Sequence, residues 1–67
     1  MDLENCLREI RRDRGLTQES LAQATGVTRQ TIIAVEQGKF RPSVELALRL
    51  ARELDVSVHE VFWLKDD

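Results

Sequence analysis

Two short steps, Gly15-Leu16-Thr17 and Gly26-Val27-Thr28, divide the first half of this 67-residue chain. In each, a glycine that enters the left-handed turn conformation cheaply is followed by a threonine able to cap the next helix. Stops and starts this close together permit only short helices. Leu3, Leu7 and Ile10 recur at helical spacing, and Gly15 ends that first helix. Thr17 caps a second, with Leu21 and Ala22 inward, which ends at Thr25-Gly26. Thr28 caps a third, with Ile32, Val35 and Glu36 on its inner side and Gly38 after it. Beyond the loop Lys39-Phe40-Arg41-Pro42, Ser43 caps a fourth helix carrying Leu46, Ala47, Leu50, Ala51 and Leu54. Ser57-Val58-His59-Glu60 has the capping-box pattern and opens a short last helix. No strand alternation, repeat or linker interrupts this series. The expectation is an all-α, five-helix fold with one core, forming a single domain over residues 1–67.

A chain of this size buries only about 60% of the surface it exposes when unfolded. It has little room for an enclosed catalytic cavity. Cys6 is the only cysteine and His59 the only histidine, so neither a disulfide framework nor a zinc site is expected. There is no nucleophile–base pair and no phosphate-cradling glycine loop, so the reading is not an enzyme and names no cofactor or metal. The longest strictly apolar run, Val61 to Leu64, is far below the roughly 20 residues of a membrane span. The acidic start Met1-Asp2-Leu3-Glu4 is not a secretory leader. These features read as a reduced, cytoplasmic protein.

The net charge of −2 conceals an uneven distribution. Residues 8–41 carry Arg8, Arg11, Arg12, Arg14, Arg29, Lys39 and Arg41 against Glu9, Asp13, Glu19 and Glu36. Residues 42–67 are acidic in balance, with Glu45, Glu53, Asp55, Glu60, Asp66 and Asp67 against three basic side chains. A basic middle suits an anionic partner, although solvated helix faces also account for such an excess.

The stretch from Thr17 to about Gln37 has the spacing of a helix-turn-helix unit. Ala22 is small where two crossing helices approach, Gly26 permits the sharp turn, and Val27 and Ile32 fill the gap. Leu21 and Val35 anchor the unit to the core, leaving one face of the third helix free for a groove. Because Ile32 takes the core position, Ile33 points outward, either as an isolated surface residue or as a contact.

Taken with Leu7, Ile10, Arg11, Gly15-Leu16-Thr17-Gln18, Leu21-Ala22, Gly26-Val27, Ile32, Glu36, Gly38-Lys39, Pro42-Ser43, Leu50-Ala51 and Val61-Phe62, the chain resembles the Cro/repressor-type (Xre-like) helix-turn-helix regulators. The resemblance implies a repressor-like, five-helix DNA-binding domain that acts as a dimeric transcriptional regulator and represses from a pseudo-palindromic operator. Its base contacts fall on Thr28, Arg29, Gln30, Ile33 and Ala34. Arginine can pair bidentately with guanine and glutamine with adenine, and methyl groups pack on the thymine methyl. Its phosphate contacts fall on Arg11, Gln18, Thr31, Gln37, Lys39 and Arg41, with Arg11 also pairing with Glu36. Arg12 and Arg14 read equally well as solvated charge at a helix end. Phe40 is either a plug or a groove-edge contact. Cys6 reads as a half-buried structural thiol and His59 as a solvent-facing residue. Phe62 is assigned to the core. Trp63, with Val58 and Leu64, completes the core or forms a homodimer interface, and the interface is the expectation. The competing reading is a protein-interaction or antitoxin-like module that keeps the fold without specific DNA reading.

Overall fold

The computed structural model describes residues 2–66. Its order is β1 (Asp2–Asn5), α1 (Leu7–Asp13), α2 (Gln18–Thr25), α3 (Arg29–Glu36), α4 (Val44–Glu53), α5 (Val58–Val61) and β2 (Phe62–Lys65). The helices start where the sequence supplies side-chain oxygens. Thr17 Oγ1 accepts from the Ser20 N–H at 3.0 Å, Thr28 Oγ1 from Thr31 at 3.2 Å, and Ser43 Oγ from Leu46 at 3.0 Å. Glu60 reaches back to the Ser57 N–H at 2.8 Å. Such a cap contributes about 1 kcal/mol to a helix too short to persist alone.

Five helices are as expected, but the fold is not purely α-helical. β1 and β2 form a two-stranded antiparallel sheet that pairs Asp2 with Lys65, Leu3 with Leu64, Glu4 with Trp63 and Asn5 with Phe62. Leu3 therefore belongs to a strand, and α1 begins only at Leu7. Trp63 and Leu64 lie on β2, beyond the last helix, which ends at Val61. The cause is non-local. Phe62 is rooted in the core and Leu3 packs against it, so the two extended ends meet side by side and satisfy each other's main-chain groups.

The core is built mainly from α2, α3 and α4. Leu7, Leu21, Ala22, Ile32, Val35, Leu50, Leu54 and Val61 have no exposed surface. Leu46 and Leu50 of α4 and Leu54 at its C-cap recur every four residues and form the inward stripe. Gly26 makes the α2–α3 turn at φ +76°, a conformation that a β-carbon penalises, and the Val27 N–H closes it onto the Ala22 carbonyl at 3.0 Å. That turn sets the angle at which α3 leaves the body.

Candidate nucleic-acid interface

The free face of α3 is held from behind by a hydrogen-bonded brace. Arg11 on α1 donates Nε to Glu36 Oε2 at 2.7 Å and Nη1 to the Leu16 carbonyl at 2.8 Å. The other carboxylate oxygen of Glu36 accepts from Gln18 Nε2 at 3.1 Å. Gln18 in turn accepts from Arg29 Nε at 3.4 Å. The Arg11 and Glu36 side chains are 10% and 5% exposed, so this ion pair is part of the interior. A chain of polar contacts thus runs from α1, through the end of α3 and the start of α2, to the first residue of α3.

Asn5 adds a second hold. Its Nδ2 donates to the Val35 carbonyl at 2.9 Å, while its Oδ1 accepts from the Leu7 N–H at 3.0 Å. One side chain thereby satisfies the first N–H of α1 and ties it to the end of α3. Nothing in the local sequence singles out Asn5, because its partner lies 30 residues away.

In front of the brace lies an open groove of about 890 Å³, lined by α1, the start of α2 and α3. It brings together Arg11, Gln18, Arg29, Ile33 and Gln37 from the expected contact set. Arg8 and Arg12 also line it; their spacing of four residues on α1 was the available signal for a shared face. Arg29 and Gln30 are exposed, whereas Thr31, Ile33 and Ala34 are half-buried. The hydroxyl of Thr28 is engaged in capping and lies 3.1 Å from that of Thr31. Lys39 is exposed beyond the end of α3. Arg41 does not line this groove. It sits in a smaller depression of about 310 Å³ with Asp2, Glu4 and Phe40. Phe40 is 48% exposed, which excludes a fully buried plug. Arg14 is tied to the fold by an Nε donation to the Leu54 carbonyl at 2.9 Å.

The tail separates the two alternatives for its aromatic residues. Phe62 is buried, while Trp63 and Leu64 are 45% and 57% exposed. Val58 is half-buried and packs against the core, which leaves only part of it for a partner. Cys6 is half-buried and donates its thiol to the Glu60 carbonyl at 3.0 Å. Burial and the nearby Glu9 push this thiol above its ordinary pKa, as befits a structural cysteine. His59 is exposed. No helix of the described residues is long and apolar enough to cross a membrane, and no metal-binding cluster forms among them.

Residues 7–61 match the helix-turn-helix family. An uncharacterized HTH-type transcriptional regulator of Methanothermobacter thermautotrophicus is 48% identical over 97% of this chain and 96% of its own. A second, YgzD of Bacillus subtilis, is 38% identical over 97% of this chain and 98% of its own. Among solved structures, the restriction-modification controller protein C.AhdI of Aeromonas hydrophila superposes with a TM-score of 0.76 at 41% identity, covering 81% of this chain and 78% of that one. The braced helix pair, its open groove and these likenesses agree. The chain belongs to the Cro/repressor-type (Xre-like) helix-turn-helix family of DNA-binding transcriptional regulators and is not an enzyme.

Proposed function

We propose that the protein represses transcription by binding a pseudo-palindromic duplex operator as a homodimer. The N-terminal end of α3 enters the major groove. The observation that carries this reading is the contrast along α3: Arg29 and Gln30 are exposed at its start, while Glu36 at its end is held by Arg11 and Gln18. Arg29 and Gln30 select guanine and adenine through paired hydrogen bonds, and Ile33, Ala34 and the Thr28 methyl pack on thymine methyls. Gln18, Thr31, Gln37, Lys39 and Arg41 contact phosphate and fix register without reading sequence. Arg11 serves mainly through Glu36, since its guanidinium lies inside the fold.

One domain reads few base pairs. A two-fold dimer doubles that information when its helices meet major grooves about 34–36 Å apart. Trp63 and Leu64, with the accessible part of Val58, supply the exposed apolar surface for this association. An operator overlapping a promoter is then blocked to polymerase by occupancy alone.

The test is binding to a palindromic duplex and to its isolated half-site over a salt series. The expected result is two chains per full site, weak binding to the half-site, and log K falling by about 0.9 per phosphate neutralised for each unit of log salt. A flat salt response, or equal affinity for unrelated duplexes, contradicts the reading. In vitro transcription from the selected site then distinguishes repression from activation.

A further inference from the structure

The outer edge of β2 carries main-chain groups that the fold leaves open. The Cys6 N–H donates to the Val61 carbonyl at 3.0 Å, which fixes the phase of the β1–β2 ladder. Hydrogen-bonded pairs alternate along an antiparallel ladder, so the next pairs inward are Glu4 with Trp63 and Asp2 with Lys65. The main-chain groups of Phe62 and Leu64 therefore point away from β1. The Phe62 N–H closes α5 onto the Val58 carbonyl. That leaves the Phe62 carbonyl and both groups of Leu64 without a main-chain partner among the described residues.

An open edge of this kind is a template for another strand. Three features select a second copy of this chain as that strand. Laid antiparallel about a two-fold axis at Leu64, the two Leu64 residues satisfy each other's N–H and carbonyl, and the Asp66 N–H meets the partner's Phe62 carbonyl. The same register sets Trp63 opposite the partner's Lys65, an apolar ring against an amphipathic cation, with no like charges facing. The outer edge of β1 lacks this complementarity: symmetric pairing there about Leu3 sets Asp2 against the partner's Glu4. Finally, Trp63 and Leu64 are the exposed apolar side chains of β2, on a strand that Phe62 anchors to the core.

We propose that β2 pairs with β2 of a second copy about a two-fold axis at Leu64, joining the two small sheets into one of four strands. The inference rests on the homodimer reading above and specifies how the two copies meet. It also links the interface to DNA reading. Asn5 sits on β1 and holds the Val35 carbonyl at the end of α3, so the strand register bears on where each α3 stands.

Two measurements test it. In the first, Leu64→Pro removes the outward N–H, a change that an edge position tolerates, while Leu64→Ala keeps that N–H and trims the side chain. Leu64→Pro is expected to weaken self-association by about tenfold or more in sedimentation equilibrium, with the helical circular dichroism retained. Leu64→Ala is expected to weaken it less. In the second, a wild-type dimer mixed from labelled and unlabelled chains is expected to show inter-chain contacts between the α-protons of Trp63 and Lys65. These contacts require no variant to fold. A Leu64→Pro protein that dimerises as tightly as wild type, or a wild-type dimer lacking those contacts, overturns the strand pairing and leaves the homodimer standing on another surface, for which the exposed Val44 and Leu48 of α4 are the next place to look. A wild-type chain that stays monomeric on a full palindrome overturns the homodimer reading itself.

Discussion

At its N-terminal end α3 presents Arg29 and Gln30 to solvent, and Arg29 is steadied by a 3.4 Å hydrogen bond to Gln18. At its C-terminal end, two turns on, Val35 is fully buried with its carbonyl bonded to Asn5, and Glu36 is held by Arg11 and Gln18 together. The difference separates two tasks within eight residues. Recognition needs exposed groups with unsatisfied hydrogen-bonding capacity, and it needs them delivered at a fixed angle. The fold puts the capacity at one end and the fixing at the other.

The largest effect is expected at the fixed end. Glu36→Ala strands the Arg11 guanidinium in the interior and should destabilise the domain by about 3–5 kcal/mol, as breaking a buried pair does. Chemical denaturation measures this, and the double variant Arg11→Ala/Glu36→Ala should lose less than the two single losses added together. Strict additivity would remove the brace. Asn5→Ala leaves the Leu7 N–H without its partner and removes the side-chain bond to the Val35 carbonyl, which keeps the Gly38 N–H at 3.0 Å, and should cost about 1–3 kcal/mol by the same measurement. If it is neutral, the polar hold on the end of α3 rests on Glu36 and not on Asn5.

At the free end the expected losses are of binding, not of stability. Gln30→Ala should weaken the preferred duplex by about 1–3 kcal/mol with an unchanged unfolding midpoint. A fall in stability of comparable size would mean that the tip is part of the scaffold. Lys39→Ala should weaken all duplexes alike and reduce the salt dependence by about one phosphate charge. The smallest effect belongs to an exposed ion pair, Arg49 with Glu45 at 2.8 Å on α4. Its side chains are 56% and 73% exposed, so Glu45→Ala should shift stability by only about 0.3–0.5 kcal/mol. Set beside Glu36→Ala, it isolates burial as the cause of the difference.

The parts that can be read from sequence are those whose physics is local. Thr17, Thr28 and Ser43 cap the helices they precede because a side-chain oxygen three residues before a free N–H finds it without help from the rest of the fold. The core stripe of α4 and the inward positions of α2 and α3 follow from helical period. The Arg11–Glu36 pair was legible because the family resemblance carries it, not because of any local spacing. The sheet was not legible: four-residue strands are too short to show alternation, and their pairing depends on two ends nearly sixty residues apart meeting over Phe62. Asn5 was missed for the same reason. Arg8 and Arg12 lie on the groove because α1 packs against α3, an arrangement that charge counting along the chain does not express.

The division of labour along α3 is tested most directly by selecting bound sites from a random duplex pool, in parallel with wild type and Arg29→Ala. The expected result is a two-fold symmetric motif for wild type and, for the variant, the same motif with one base pair in each half-site no longer specified. Identical motifs from the two proteins would contradict it, because the exposed start of α3 would then carry no sequence information.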